Sequence, residues 1–206
     1  MGMEDSRAGT RPRSDDPHAD PTLTRLVEDL DEGFAVLVRH EERVVYSVAL
    51  RVTGAHQDAE DLAAETFLRA YRALLGYDGE RIRALRLRPW LLTIAINTWR
   101  NSLRSASRHP AAIPTAELPE PRSDGRGVEQ AAESAETQRE LGALLARLPA
   151  PQRAAVVLRH VAGMSIGEVA EVLGCPEGTA KSHVSRGLAS LRTIHRNASP
   201  AGRRAI

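Results

Sequence analysis

The sequence predicts an all-α fold of two small helical domains joined by a flexible linker. Aromatic residues are only 3% of the 206 residues, apolar side chains recur at helical spacing, and a Pro- and Gly-containing acidic segment interrupts that spacing. A chain of this length has room for two domains of roughly 75 residues each. Cores built of Leu, Val, Ile and Ala, with few aromatics, favour helices over sheets.

The first half of the chain divides into an extension and a helical domain. Residues 1–30 are acidic and lack apolar periodicity, so we expect a disordered N-terminal extension, although its end, Thr22 to Leu30, is compatible with a short helix. The first domain is expected at residues 31–108. Apolar spacing predicts that this domain has helices at Phe34 to Val52, Asp58 to Leu75 and Pro89 to Arg104. Composition predicts a polar basic loop at Tyr77 to Arg88.

The second half begins with a linker. Residues 109–134 contain four prolines and two glycines without periodicity, which is typical of a flexible connection. The second domain is expected at residues 135–197, and residues 198–206 form a basic tail. Helices of this domain are predicted from Ala135 to Leu148, Pro151 to Val161, Ser165 to Leu173 and Pro176 to Arg196.

Composition restricts the function classes. The single cysteine, Cys175, excludes an internal disulfide framework and suits a reducing compartment. No apolar run approaches the ~20 residues that span a bilayer. The chain starts with polar and acidic residues, so no secretory signal is expected. We therefore expect a soluble cytoplasmic protein that does not bind membranes.

Charge is unevenly distributed along a chain whose formal net charge is +1. Residues 1–32 hold nine acids and four arginines, whereas residues 81–108 hold seven arginines and no acid, and residues 179–206 hold six basic residues and no acid. Two solvated basic faces are one interpretation. Acid-free stretches in a nearly neutral protein favour the other, which is binding to nucleic acid.

A helix-turn-helix is predicted near the C-terminus. Ser165 and Glu168 form a capping box, Gly174 supplies the turn, and Pro176 suits the first turn of a second helix. That second helix is expected to present side chains that reach phosphates and base edges, namely Thr179, Lys181, Ser182, His183, Ser185, Arg186 and Arg192. The alternative is an ordinary helical hairpin with a wet basic face.

A charged ridge is predicted on the helix that begins near Asp58. Asp61, Glu65 and Arg69 are spaced four residues apart and therefore share one helix face. Simple solvation of the helix is one alternative, and acid–base or metal chemistry is another. Acid–base or metal chemistry would need further groups, but the helix contains no histidine and no glycine-rich loop lies nearby. We therefore expect no catalytic residue, no metal and no cofactor.

The helix from Trp90 carries a second polar face. Asn97, Arg100 and Arg104 share that face, beside the basic loop. Trp90, at the helix start, belongs either to the core or to a surface that stacks on an unpaired base.

Together these segments resemble the extracytoplasmic-function (ECF) group of bacterial sigma factors, within the sigma-70 family. The resemblance rests on Asp58 to Tyr71, Trp90 to Asn97, and Gly178 to His183 within the helix-turn-helix, in this order along the chain. It implies sigma region 2 at residues 31–108 and sigma region 4 at residues 135–197. The chain departs from the usual family residue at Ala64, Ile96 and His183.

The resemblance also implies roles for these residues. The acidic helix would dock on the clamp coiled coil of the largest RNA polymerase subunit through Asp58, Asp61, Glu65 and Arg69. The minus-10 promoter element would meet Arg81, Arg83, Arg86, Arg88, Trp90, Asn97, Arg100 and Arg104. The second helix of the helix-turn-helix would read the minus-35 element. The polymerase flap region and a separate anti-sigma factor are further implied partners.

The sequence therefore predicts an alternative sigma factor, which binds core RNA polymerase, recognises a two-part promoter and directs transcription initiation without catalysing a reaction. The rival interpretation is a stand-alone helix-turn-helix repressor or activator, whose N-terminal domain senses a ligand or dimerises. A sensor domain would need a pocket, whereas the first domain offers a charged ridge and a basic loop.

Overall fold

A computed structural model describes residues 20–108 and 140–198, and every regular element in these two ranges is an α-helix. The prediction of an all-α fold is confirmed. The helices are α1 (Pro21–Glu28), α2 (Leu30–Thr53), α3 (His56–Leu74), α4 (Gly79–Arg83), α5 (Leu87–Arg108), α6 (residues 140–146), α7 (Ala150–His160), α8 (Ile166–Leu173) and α9 (Glu177–Ala198). In these ranges, none of the helices combines the length and apolarity needed to cross a membrane.

The core of the first domain lies between α2, α3 and α5. Apolar residues of α2 recur every three or four positions, and their side chains are buried in one core cluster with Leu74 of α3 and Leu91 of α5. Gly54 ends α2 with a φ of 87°, and its N–H donates to the Leu50 carbonyl. This left-handed cap is the usual reason for a glycine after a helix.

Residues 21–28 form α1, which agrees with the short helix that the sequence allowed at Thr22 to Leu30 and limits how far a disordered extension could reach. Asp20 caps this helix by accepting a hydrogen bond from the Thr22 N–H at 2.9 Å. Leu26 is buried against α2, where Gly33 allows close approach: a Cβ there would lie 2.5 Å from the Leu26 nitrogen. The helix is therefore stabilised by a tertiary contact. Residues 1–19 lie outside the described ranges.

The basic segment Tyr77 to Arg88 is not wholly a loop, because it contains the short helix α4. Asp78 accepts a hydrogen bond from the Arg81 N–H at 2.8 Å, and the Ile82 side chain is buried. The next helix, α5, begins at Leu87, two residues before Pro89. A proline is tolerated there because the first N–H groups of a helix have no intrahelical acceptor.

The second domain is built around α7, α8 and α9. The predicted capping box is confirmed: the Ser165 N–H donates to Glu168, and the Glu168 N–H donates to the Ser165 hydroxyl. Gly174 adopts a φ of 63° at the predicted turn. The inner face of α9 is also confirmed at Ala180 and Val184, which are buried. The predicted linker at 109–134 and tail after 198 lie outside the described residues.

The two domains pack against each other through α5 with α8 and through α2 with α7. A polar cavity of about 290 Å³ remains between them, and its walls include Glu41, Arg88, Met164 and Glu168. This packing places the helix-turn-helix beside the basic segment of the first domain.

Candidate nucleic-acid interface

The second helix of the helix-turn-helix, α9, has one buried and one exposed face. Ala180 and Val184 anchor it to the core. Five of the seven residues predicted to meet DNA are exposed on it, namely Thr179, Lys181, Ser185, Arg186 and Arg192. These side chains supply hydroxyl, ammonium and guanidinium donors, which are the groups that bind phosphates and base edges.

The other two predicted residues, Ser182 and His183, are half-buried. The Ser182 hydroxyl donates to the Gly178 carbonyl at 2.8 Å, so its proton is already engaged. The His183 Nδ1 atom is buried and has no hydrogen-bond partner in the described part of the chain. These two residues therefore offer DNA fewer donors than the sequence predicted.

A second basic surface is formed by α4 and the exposed side of α5. Arg81, Arg83, Asn97 and Arg104 are exposed there, as predicted. The Arg81 guanidinium carbon lies 3.7 Å from the centroid of the Tyr77 ring, a cation–π contact. That contact holds Arg81 against the start of the segment.

Arg88, which the sequence places with the minus-10 residues, is bound to Glu41 of α2, and its side chain stays 47% exposed. Its Nε donates to Glu41 Oε2 at 2.8 Å, and its Nη2 donates to Oε1 at 3.1 Å. Glu41 is 9% exposed, and its hydrogen bond raises the pKa of Arg88. A bidentate pair with a buried carboxylate anchors the start of α5 to α2. The structure thus gives Arg88 a structural partner.

Arg86 and Arg100 also have partners, which lie on α8 of the second domain. Arg86 binds the carboxylates of Glu168 and Glu171. Arg100 donates to the Leu173 carbonyl at 3.3 Å, and burial lowers the pKa of its guanidinium. In this conformation both arginines face the helix-turn-helix.

Trp90 is partly buried, and its ring centroid lies 6.3 Å from that of Tyr77. It packs against the core while keeping part of its surface accessible, and stacking on an unpaired base stays a prediction. Trp99, in contrast, is only 2% exposed and belongs to the core.

The predicted ridge on α3 is present. Asp58 and Asp61 are exposed, and Glu65 forms an ion pair with Arg69 one turn along. These acids form one wall of a groove of about 440 Å³ between α3 and α5, and Leu103 lines the other side. Leu103 is 41% exposed, so the groove joins an accessible apolar surface to an acidic rim.

Four residues that contact the predicted site residues were not predicted from the sequence, namely Glu41, Tyr77, Glu168 and Glu171. A signal existed for Glu41, because it lies on the apolar stripe of α2 between Leu37 and Val45, where a buried carboxylate requires a cationic partner. Glu168 was assigned to the capping box alone. Nothing local indicated that it also binds Arg86, which is 82 residues away.

Comparison with protein families finds two matches. Residues 37–109 match the description "Sigma-70 region 2", and residues 138–191 match "Sigma-70, region 4". The first match covers most of α2 to α5, and the second covers the helix-turn-helix.

Two curated relatives match most of the chain. The ECF RNA polymerase sigma factor SigE of Mycolicibacterium smegmatis is 32% identical over 189 residues, covering 86% of this chain and 69% of that protein. The RNA polymerase sigma-H factor of Pseudomonas aeruginosa is 32% identical over 173 residues, covering 79% of this chain and 88% of that protein.

Two solved structures have a similar fold. CnrH, determined in complex with the cytosolic domain of CnrY, is similar with a TM-score of 0.64 and 21% identity, covering 87% of this chain and 97% of that chain. The sigma factor RpoE of Bartonella quintana, determined with the anti-sigma factor NepR, is similar with a TM-score of 0.60 and 22% identity, covering 84% and 100%. At this identity they show the fold alone.

Proposed function

We propose that this chain binds core RNA polymerase and directs initiation at promoters with minus-35 and minus-10 elements. The premise is that the chain belongs to the ECF group of RNA polymerase sigma factors, as the family matches and the relatives show. The observation that carries the proposal is the presence of both sigma regions in one chain, with an exposed polar face on the second helix of the helix-turn-helix. Sigma factors recognise DNA and regulate initiation, and we propose that this chain itself catalyses no reaction.

For the minus-35 element, we propose that α9 lies in the major groove. The N-terminal part of the second helix in this motif contacts base edges. Lys181 lies there and Arg186 follows, whereas Arg192 lies almost two turns further on. This order supports base readout by Lys181 and Arg186, and a phosphate contact by Arg192.

For the minus-10 element, we propose that DNA follows α4 and the exposed face of α5. Arg81, Arg83, Asn97 and Arg104 supply the accessible polar groups. Trp90 and Tyr77 add aromatic surface that stacks on an unpaired base. Tyr77 is an addition to the predicted set, and Arg88 serves this surface by fixing the start of α5 to Glu41.

For core polymerase, we propose the ridge of Asp58, Asp61, Glu65 and Arg69 as the docking surface for the clamp coiled coil. The adjoining groove with Leu103 supplies an apolar surface beside these charges. A partner helix with basic residues flanking an apolar stripe fits this arrangement. The second domain would face the flap region.

Control by a separate anti-sigma factor is part of the proposal, and it is supported by the two similar structures, in which CnrH is bound to the cytosolic domain of CnrY and RpoE to the anti-sigma factor NepR. We propose a cytoplasmic location as well, which follows from the proposed action on core polymerase.

Assembly with sigma-free core polymerase tests the proposal. The chain should co-elute with core enzyme from a sizing column, and the complex should shift a duplex taken from upstream of the chain's own gene. A stand-alone repressor or activator would shift that duplex without core enzyme and would not co-elute with it. That result would support the rival interpretation.

A further inference from the structure

The short helix α4, which carries Arg81 and Arg83 of the proposed minus-10 surface, packs on α1. Five residues are too few for a helix to be stable by itself, because the first turn fixes many dihedral angles for few hydrogen bonds. Within the described residues, α1 is the helix with which α4 makes its most extensive contact. The position of α4 therefore depends on α1.

The two helices meet at Gly79, the first residue of α4. A Cβ at Gly79 would lie 3.2 Å from Val27 Cγ1 of α1 and 3.3 Å from Nη1 of Arg83. Both distances are shorter than an ordinary van der Waals contact, so only a residue without a side chain lets these two groups lie so close. Ile82 adds to the attachment, because it is 5% exposed and belongs to the same core cluster as Leu26 of α1.

The α1 helix is itself held firmly on α2. A Cβ at Gly33 of α2 would lie 2.5 Å from the Leu26 nitrogen, so the two backbones are in contact there. Asp29, the single residue between the helices, donates its N–H to the Arg25 carbonyl at 2.9 Å and accepts from the Glu32 N–H at 3.0 Å. This corner gives α1 a fixed place from which it supports α4.

We propose that α1 is a positioning element for the minus-10 surface, in which Val27 holds α4 so that Arg81 and Arg83 meet DNA in a fixed place. Val27 is half-buried and its side chain has no hydrogen-bond donor, so its effect on DNA is exerted through α4. The region 2 match begins at residue 37 and does not include α1. The role in DNA binding rests on the proposed function, whereas the contact between α1 and α4 does not.

DNA binding then depends on the fraction of molecules in which α4 is docked on α1. Where only the docked helix presents both arginines, the apparent dissociation constant is the intrinsic one divided by the docked fraction. A substitution that displaces α4 must therefore weaken DNA binding by the factor through which it lowers the docked fraction.

Gly79→Val tests the contact from the side of α4, in the full chain. Its γ carbons extend from a Cβ that already has too little room beside Val27, so we expect it to displace α4. Val27→Ala removes the opposing Cγ1, so Gly79→Val should have little further effect in a Val27→Ala background. Gly76→Val is the matched control, because a Cβ at this exposed position would meet only the Ala73 carbonyl oxygen, at 3.6 Å.

Hydrogen exchange followed by mass spectrometry measures the docking of α4 without DNA. The Ile82 N–H donates to the Asp78 carbonyl at 3.0 Å, and local opening of α4 exposes such amides to solvent. Gly79→Val should raise the exchange rate of residues 80–84 about fivefold or more. In the Val27→Ala background the same substitution should change that rate by less than about twofold. The control should leave the rate unchanged.

DNA binding is then measured with each variant in complex with core polymerase, on a fluorescein-labelled duplex taken from upstream of the chain's own gene. Gly79→Val should bind the duplex about two- to tenfold more weakly, following the docked fraction. In the Val27→Ala background it should lower the affinity by less than about twofold. This dependence on Val27 separates positioning from a direct effect of the new side chain on DNA.

Val27→Ala alone, which loses the contact without a clash, is the second variant and should raise the α4 exchange rate about two- to fivefold. Circular dichroism checks that all variants fold. Unchanged exchange in both single variants would overturn the contact between α1 and α4, and an equal effect of Gly79→Val in both backgrounds would overturn the role of Val27. Faster exchange without weaker binding, while the unaltered complex binds the duplex, would overturn the positioning of the DNA surface. A duplex that no complex binds would overturn the proposed function, and the exchange result would still decide the contact.

Discussion

The arginines of this protein differ in the partner that each one has. Arg88 is bound to the buried Glu41, Arg86 and Arg100 are bound to α8, and Arg186 and Arg192 are exposed on α9. In the sequence alone, these arginines are all simply basic residues. A guanidinium that is paired within the chain contributes to the fold, whereas those of Arg186 and Arg192 are exposed on the surface where we propose that DNA binds.

At the residue scale, Arg186 and Arg192 should have different effects on DNA binding. Arg186→Ala should weaken binding to the cognate minus-35 duplex by about 1–3 kcal/mol and relax the preference at one base pair, because a base contact is lost. Arg192→Ala should weaken cognate and scrambled duplexes alike and lower the salt slope by about one unit. Binding isotherms at several salt concentrations measure both. Equal losses on both duplexes for Arg186→Ala would reassign it to a phosphate.

Glu168 should make stability depend on pH in the acid range. Hydrogen bonds from the Ser165 N–H and hydroxyl, together with the nearby Arg86, lower the pKa of this carboxyl in the folded state. A lowered pKa adds stability that is present above the unfolded value of about 4.3 and is lost as the pH falls through the folded value.

Urea unfolding of the unaltered protein and of Glu168→Gln measures this effect. Glutamine keeps a capping side chain but has no charge to lose. The unaltered protein should be more stable at pH 7, and the difference should shrink as the pH falls from the unfolded pKa of about 4.3 through the lower pKa of the folded state. Glu140→Gln, at an exposed position of α6, should leave the acid profile unchanged. A difference that does not shrink as the pH falls below about 4.3 would contradict the role of the carboxylate.

At the element scale, α9 contains two glycines in different surroundings. A Cβ at Gly187 would lie 2.6 Å from Val156 Cγ2 of α7, whereas a Cβ at Gly178 would meet nothing within 4 Å. The close approach of α7 and α9 therefore depends on Gly187.

Gly187→Ala should destabilise the protein by about 1–3 kcal/mol through overpacking. Gly178→Ala should instead stabilise it by up to about 0.5–1 kcal/mol, because alanine loses less backbone entropy in a helix. Thermal unfolding of the two variants measures both changes in stability, the expected loss and the expected gain. Equal destabilisation by both would contradict the packing described for α7 and α9.

How far the sequence predicts an element depends on where its stabilisation comes from. The α2 and α3 helices carry apolar periodicity, and α8 carries its capping box, so all three were predictable. The α4 helix has five residues and is too short for periodicity to show. The sequence allowed the α1 helix but did not require it, because the helix is stabilised by burial of Leu26 against α2.

The same distinction applies to the site. Exposed residues on α9 and the ridge on α3 follow from helix spacing, so the sequence was sufficient to place them. The partners of Arg86 lie 82 and 85 residues away, so only the tertiary packing reveals them. The partner of Arg88 was not predictable for the same reason, since Glu41 is 47 residues distant.

At the scale of the whole molecule, the proposed polymerase-binding surface and the proposed DNA-binding surfaces lie on different residues. Asp61→Arg with Glu65→Arg reverses the ridge on α3 and should weaken binding to core polymerase by about tenfold or more, because like charges then oppose the partner. Glu32→Arg with Glu42→Arg makes the same charge change at exposed positions of α2 and should have little effect. Co-purification with core enzyme measures this, and an unchanged yield for the ridge variant would remove α3 from the interface.

The most direct test of the central claim is run-off transcription with core RNA polymerase that contains no other sigma factor, on a template carrying the region upstream of the chain's own gene. The account predicts a transcript of defined length when the chain is added, none without it, and none with the reversed α3 ridge. A transcript that appears only when a different sigma factor is supplied, with this chain merely raising or lowering its amount, would contradict the account and identify a stand-alone regulator.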